Sequence, residues 1–422
     1  MIALVDCNSF FCSVEKVFHP GLDGRPVCVL SSNDGCIVAL TPEAKALGLR
    51  RGDPLFKVRH IVEANNVVIF STNMQLYAAM SRRVTSIMRK SVAHVENYSI
   101  DESFCYLDGY EKIYDLEDMM RSLADRIRLW TDIPVSVGVA PTKTLAKVGS
   151  KFAKKYSGYR SVCMIDTDEK RRKALSMFQL SDVWGVGRNM LDKLHYYGIT
   201  TPLEFADKKE SWVRTRFSKP LCQTWMELNG TPCIDTSEIM RNKSICTSRS
   251  FGEMITDFDP LKSAVAVFAS SCANKLRAQR GVASSVTVFV RSNRFRNDLS
   301  QYANAATSYF ATPTADTMEI TTAAINLLRD IYRPGISYKK TGVILSDISD
   351  DAAIQQQLFD DINNRPERMR LMHTIDSLNH RYGVKTVRLM AEGERRQSWN
   401  VKSEHRSRNY LTDINEILTI KI

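Results

Sequence analysis

The sequence predicts a multidomain protein of α/β and α+β class, with a helical module between the two. Three observations predict this. A chain of 422 residues exceeds what one hydrophobic core organises, since domains run to roughly 100–200 residues. Short apolar runs of strand length alternate with helical periodicity across residues 1–166. Residues 167–233 carry helical patterns without strong strand signals, and strands interleaved with helices return across 244–347.

Taken in order, Ile2–Val5 and Val27–Leu30 read as short buried strands. Met74–Lys90 has apolar residues at helical spacing and opens after a Ser-Thr-Asn cluster, the residue types that cap helix starts. Val95–Ile100 and Phe104–Leu107 read as two strands around Asp101-Glu102. Asp115–Thr131 reads as a helix and Pro134–Val139 as a strand, after which Pro141-Thr142 opens a lysine-rich helix running to about Tyr156. The expected sheet is mostly antiparallel. In the helical module, Gly185-Val186-Gly187 makes a short turn between helical stretches. A polar linker spans 234–243. The third module contributes strands at Ser285–Arg291 and Thr341–Ser346 and helices at Leu261–Arg280 and Thr317–Tyr332. Residues 348–422 form a polar C-terminal tail with helical patterning at Met369–Leu378.

Composition narrows the function. The 58 Lys and Arg against 47 Asp and Glu give a net charge of +11, which predicts an acidic partner. That surplus divides as +3 over residues 1–166, +7 over 167–347 and +1 over 348–422. It is therefore concentrated rather than spread as a general coat. A charged fraction of 25% with 9% aromatics is globular and argues against wholesale disorder. No apolar run approaches the ~18 residues that span a bilayer. The start reaches Asp6 without a basic region, so neither a signal peptide nor a membrane partner is expected. Ten cysteines scattered from Cys7 to Cys272 without a C-x-x-C pair are expected to be reduced thiols in a cytoplasmic protein.

The chemistry-bearing residues are carboxylates at strand ends. Asp6 ends the first strand, and Asp101 and Glu102 lie at the junction of two later ones. Such groups are costly to bury unless they hold a cation. Three converging on one spot would suit two Mg²⁺ ions, which activate an attacking hydroxyl and stabilise a leaving pyrophosphate. Adjacent strand residues point to opposite faces, so Asp101 and Glu102 share a site only at a strand end or turn. On composition alone a solvated turn pair is the plainer reading, because Asp-Glu dipeptides are common.

Longer motifs reverse that preference. Asp6-Cys7-Asn8-Ser9-Phe10-Phe11 and Tyr98-Ser99-Ile100-Asp101-Glu102-Ser103 resemble the two metal-binding motifs of the Y-family translesion DNA polymerases. Glu43–Gly48, Val137–Lys147 and Asp182–Gly187 are similar to its fingers helix, palm strand with following helix, and thumb motif, in the same order. Ser32-Asn33-Asp34-Gly35-Cys36 and the chain length resemble the UmuC-type branch. The resemblance runs from residue 1 to about 360. It implies a right-hand polymerase with palm (1–18 and 72–166), fingers (19–71), thumb (167–233) and little finger (244–347).

Roles follow from the resemblance by position. Asp6, Asp101 and Glu102 would be the metal carboxylates for two Mg²⁺, with the Cys7 backbone carbonyl a further ligand. Phe11 would be the steric gate against a ribose 2′-hydroxyl, a place where many relatives carry Tyr, whereas Phe10 is read as core. Lys154 matches the lysine that contacts the dNTP triphosphate; Lys147, seven residues earlier, lies on the same helix face. Lys45 stands where many relatives have a triphosphate-binding arginine, so the charge is kept without the bidentate fork. Pro42 replaces a phosphate-touching tyrosine, a local departure from the pattern.

For DNA, Gly185, Gly187 and Arg188 fit a helix-hairpin-helix whose backbone approaches a phosphate. Arg249 resembles the start of the little finger's DNA-facing strand, and Arg291 and Arg294 belong to a basic cluster around Phe295. Gln355-Gln356-Gln357-Leu358-Phe359 fits the sliding-clamp peptide, with Gln355, Leu358 and Phe359 at its fixed positions. The expected function is template-directed, error-prone translesion synthesis on primer–template DNA. The resemblance adds a UmuD-type regulatory dimer and a RecA filament as partners. Two other readings are a palm-type nucleotidyl cyclase, separated by a template requirement, and an inactive DNA-binding scaffold, separated by metal-dependent dNTP incorporation.

Overall fold

A computed structural model describes residues 1–236, 241–353, 364–393 and 399–418, which fall into two units. One takes in the described residues of 1–239 and 403–422, the other those of 240–402.

The first unit opens with β1 (Ile2–Cys7), α1 (Phe10–Val17), β2 (Val27–Leu30), β3 (Ile37–Leu40), α2 (Pro42–Ala46), α3 (Leu55–Ala64) and β4 (Val68–Ser71). It continues through α4 (Met74–Ser91), β5 (His94–Asn97), β6 (Glu102–Tyr106), α5 (Leu116–Thr131), β7 (Val135–Ala140), α6 (Lys143–Lys155) and β8 (Val162–Met164). The five-stranded sheet has the order β5-β6-β1-β7-β8, antiparallel except for the β7–β8 pair. The period-two alternation of β1 decides what each face carries. Ala3, Val5 and Cys7 enter a core with Met80 and Val84 of α4 and Leu123 and Ile127 of α5. Ile2 and Leu4 point the other way and pack with Phe104, Leu145 and Val148, beneath α6. Asp6 shares their parity, so its carboxylate is delivered to the α6 face.

Helix α6 lies directly on β7 because Gly138 and Gly149 remove the intervening side chains. A Cβ on Gly138 would overlap the Ala146 carbonyl oxygen and the Ser150 amide, and stand 2.7 Å from the Gly149 carbonyl carbon. The start of α6 is fixed by Thr142, whose side chain caps it, and by buried Glu227, which accepts from the Thr144 amide at 2.8 Å and hydroxyl at 2.6 Å.

Strands β2, β3 and β4 form a separate sheet of order β3-β2-β4 with its own small core, Cys28, Leu30, Ile37, Leu40 and Val62 among it. The expected helical module comprises α7 (Asp168–Met177), α8 (Arg188–Tyr196), α9 (Pro202–Ala206), α10 (Glu210–Arg216) and α11 (Lys219–Leu228).

The second unit is a four-stranded antiparallel sheet, β9 (Ile245–Ile255), β10 (Gly281–Ser292), β11 (Ala303–Thr314) and β12 (Tyr338–Asp350), in the order β11-β10-β12-β9. Helices α12 (Phe258–Ala278) and α13 (Thr317–Ile331) cover one face, where Val286, Val288, Val290 and Val343 meet Phe268 and Leu328.

Residues 348–422, expected as one tail, divide between the units. Helix α14 (Arg365–Tyr382) packs on the second unit through ion pairs of Arg365 with Glu319 at 3.1 Å and of Asp376 with Arg277 at 2.7 Å. Residues 403–418 belong to the first. No helix among the described residues is long and apolar enough to cross a membrane.

Candidate active site

Asp6 and Glu102 are register partners across β1 and β6. Glu102 opens its strand and shares the parity of Phe104, so both carboxylates emerge on the α6 face. Asp101 lies one residue before the strand, in a turn where the Tyr98 and Ser99 amides donate to the Glu102 carbonyl. The strand expected over Val95–Ile100 therefore ends at Asn97, and Tyr98–Asp101 is the turn that releases Asp101 from strand alternation. The Cys7 amide donates to the Asp101 carbonyl at 2.9 Å, which ties the turn to the end of β1. The Cys7 thiol is buried in the opposite core and burial pushes its pKa up, leaving only its backbone for the site.

Helix α6 supplies counter-charges as a ladder. Lys143 Nζ donates to Glu96 at 2.8 Å, Lys147 to Glu102 at 2.7 Å and Lys154 to Asp6 at 3.2 Å. Spacings of four and seven keep the three on one helix face. Lys147 is wedged among aromatic rings, 4.4 Å from the Tyr98 centroid and 5.4 Å from that of Trp184. Lys154 is the most exposed of the three, at 36% against 17% for Lys147 and 2% for Lys143. Lys143 lies within the matched Val137–Lys147 motif but the sequence gives it no role, and Glu96 none; the four-residue step from Lys147 back to Lys143 is the signal available. Burial raises the Glu96 pKa, but hydrogen bonds from Lys143, Thr236 and Tyr106 outweigh it and hold the carboxyl below its usual range.

Burial likewise raises the Asp6 carboxyl; Lys154 opposes this, and the charges of Glu102 and Asp101 push the same way as burial. Among the described residues no three His, Cys, Asp or Glu side chains are gathered tightly enough to hold a metal ion as they stand. Lysines take two of the carboxylates, and Ser99 Oγ donates to Asp101 at 2.5 Å. An all-oxygen donor set that carries mutually repelling negative charge fits a hard divalent cation.

The turn from β1 into α1 places the aromatic pair. Ser9 caps α1 in the left-handed region, φ 45°, and its hydroxyl donates to the Leu40 carbonyl at 3.1 Å. Phe10 is buried in the core. Phe11 is half-buried and stacks on Tyr77 of α4, ring centroids 4.5 Å apart at 19°. Tyr77 escaped the sequence reading because it looks like one more apolar position of its helix.

Lys45 is exposed on α2, which Thr41 caps and Pro42 starts, and it makes no recorded hydrogen bond or ion pair to the three carboxylates. Pro42 thus has a structural use as the first helical residue. Gly185 sits at φ 92°, a conformation side chains disfavour, and Gly187 caps α8, leaving Arg188 exposed at its first position.

On the second unit, Arg291 alternates with buried Val288 and Val290, so it points to the face without helices; it lies 5.3 Å from the Phe289 ring centroid. Arg294 stacks over Phe295 at 4.8 Å in the adjoining loop. Arg249 has the parity of buried Ile245 and Phe251, and its charge acts on Lys385. It therefore belongs to the helix-covered side of the sheet rather than to the side of Arg291. Gln355, Leu358 and Phe359 lie outside the described residues.

Comparison with known proteins bears on this arrangement. Residues 5–151 match the impB/mucB/samB family, 242–358 match the C-terminal domain of that family, and 369–420 match a domain of unknown function. The chain is 39% identical to Protein UmuC of Salmonella typhimurium (strain LT2), covering 100% of both. It is 27% identical to DNA polymerase IV 2 of Bacillus subtilis (strain 168), over 93% of this chain and 96% of that one. Its fold is similar to that of a Y-family DNA polymerase chimera of Dbh and Dpo4, with a TM-score of 0.63 at 21% identity over 83% of this chain and 100% of the other.

Proposed function

Because the chain belongs to the impB/mucB/samB family, we propose that it is a template-directed, error-prone DNA polymerase of translesion synthesis, joining a dNTP to a primer 3′-hydroxyl at Asp6, Asp101 and Glu102. The observation that carries this reading is the register pairing of Asp6 with Glu102 on one sheet face, with Asp101 at the adjacent turn. Two Mg²⁺ held by these carboxylates and the Cys7 carbonyl would supply an acidified primer hydroxyl and charge neutralisation at the triphosphate. The protein's own groups do the rest. Lys147, confined by rings, holds Glu102 in place. Lys154, more exposed and at longer range, is free to turn from Asp6 to an arriving triphosphate, and Lys45 adds positive charge from the fingers. Phe11, backed by Tyr77, takes the space a 2′-hydroxyl would need. Extension of a primer opposite a template abasic site tests the translesion reading, and arrest at that site with every accessory protein present would refute it.

Duplex DNA is assigned to the backbone at Gly185 and Gly187 with Arg188, and to the open sheet face with Arg291 and Arg294. Such contacts bind through counterion release. Arg291→Glu with Arg294→Glu is expected to weaken DNA binding and to flatten the slope of log K against log salt by about 2, roughly one per lost phosphate contact. Arg249→Glu is expected to do much less, because of its side of the sheet. Binding titrations at several salt concentrations measure both.

Gln355, Leu358 and Phe359 are assigned to a sliding clamp, a Leu-Phe pair suiting a hydrophobic pocket on such a partner. Deleting Leu358 and Phe359 is expected to abolish clamp-stimulated synthesis and spare distributive synthesis; equal loss of both would indicate a folding role. A UmuD-type dimer and a RecA filament complete the proposed partners. The cyclase and scaffold alternatives are disfavoured by full-length similarity to UmuC together with the presence of all three carboxylates.

A further inference from the structure

We infer that the C-terminal segment 403–418 is a positioning element for the sugar gate, acting on Phe11 through Ser407, Glu15 and Tyr77. This rests on the reading of Phe11 as that gate. The segment lies in the region that matches only a domain of unknown function.

The contacts run continuously from the segment to the gate. The Ser71 amide at the end of β4 donates to the His405 carbonyl at 3.0 Å, and the His405 amide donates to Ser71 Oγ at 3.0 Å. Asn73, fully buried, donates from Nδ2 to the Ser407 carbonyl at 3.1 Å while its Oδ1 caps α4 by accepting from the Leu76 amide. The Ser407 hydroxyl then donates to Glu15 Oε1 at 3.0 Å, and Tyr77 OH donates to the same oxygen at 2.6 Å. Tyr77 is the ring on which Phe11 stacks, and Glu15 lies four residues beyond Phe11 on α1, one turn along the same face. Glu15 is 0% exposed and its second oxygen, Oε2, has no hydrogen-bond partner among the described residues. A buried carboxylate held by so few donors depends strongly on each of them. Further along, Tyr410 stacks on Phe18 at 4.7 Å and its hydroxyl meets His19 Nε2 at 3.2 Å, so the segment also holds the residues that follow the end of α1.

The physical consequence is directional. Without the Ser407 hydroxyl, Glu15 is left with Tyr77 as its one remaining side-chain donor, and both side chains can shift toward water. The ring behind Phe11 then loses its fixed plane. A gate works by refusing a few tenths of an ångström to one hydroxyl, so it is more sensitive to such a shift than the reaction of the correct substrate.

The test compares kcat/KM for a dNTP with that for the matching rNTP in four chains: unaltered, Ser407→Ala, Ser407→Thr and Phe11→Ala. Loss of one hydrogen bond to a buried carboxyl predicts that Ser407→Ala lowers sugar discrimination roughly threefold to twentyfold, chiefly by raising rNTP use. Its dNTP kcat/KM stays within about twofold, and Ser407→Thr, which restores the hydroxyl, recovers discrimination. General damage to the fold would instead lower both substrates together. Relaxed discrimination in Phe11→Ala with none in Ser407→Ala would overturn the positioning role and keep the gate. Unchanged discrimination in Phe11→Ala would overturn the gate, and the inference with it.

Discussion

Replacing Asp101 with alanine is expected to abolish primer extension while DNA binding persists. Its carboxylate has one recorded side-chain partner, Ser99 in its own turn, and the contact that secures the turn to β1 comes from its backbone carbonyl. Alanine keeps that carbonyl. The substitution also removes a negative charge whose repulsion pushes the Asp6 carboxyl up. What disappears is one of the three carboxylates proposed to hold the cations. If that interaction is worth several kcal/mol in the transition state, the rate falls by about a thousandfold or more. Binding to primer–template, proposed to rest on Arg188, Arg291 and Arg294, should stay within about twofold. Near-normal extension by this variant would remove Asp101 from the chemistry.

Gly138→Val is expected to prevent the first unit from folding. Even one added carbon overlaps backbone atoms of α6, and backbone cannot rotate away as a side chain can. Ordinary overpacking costs about 1–3 kcal/mol. A clash with a helix backbone belongs to the rare class above about 4–5 kcal/mol, a large share of a domain's stability. Helix α6 would have to lift from β7, carrying Lys143, Lys147 and Lys154 away from their carboxylates. The expected result is insoluble protein, or a soluble chain whose first unit melts far below the unaltered one in calorimetry. A melting temperature unchanged within about 2 °C would mean that Gly138 and Gly149 do not set the packing distance.

Where one physical signal dominates, the sequence is legible. The buried strands Val27–Leu30 and Val135–Ala140 are plain in it as short apolar runs, and the long amphipathic helices Met74–Ser91, Leu116–Thr131 and Thr317–Ile331 as apolar periodicity. The three carboxylates were found from motif and order rather than from periodicity. Strands β3 and β4 were not anticipated, since four-residue runs such as Val68–Ser71 gain strand geometry only from a neighbour distant in the chain. β11 hides for another reason: its alanines, serines and threonines lack a buried apolar face over most of their length. Nor does the linear order of charges reveal which lysine meets which carboxylate. That is decided by the register of β1 against β6 and by the height of α6 above them. The split of the tail was invisible too, because residues 403–418 dock through hydrogen bonds to Ser71 and Asn73 and through scattered packing of Tyr410 and Leu411 rather than through a periodic face.

The central claim is that these carboxylates serve a template-directed polymerase. Its most direct test is single-nucleotide incorporation on four primed templates differing only in the base to be copied. Each reaction contains Mg²⁺, with and without the sliding clamp, regulatory dimer and RecA filament. The favoured dNTP is expected to change with the templating base, no nucleotide to be added without template, and Asp101→Ala protein to be silent in every reaction. Incorporation indifferent to the template, or none under any condition, would contradict it.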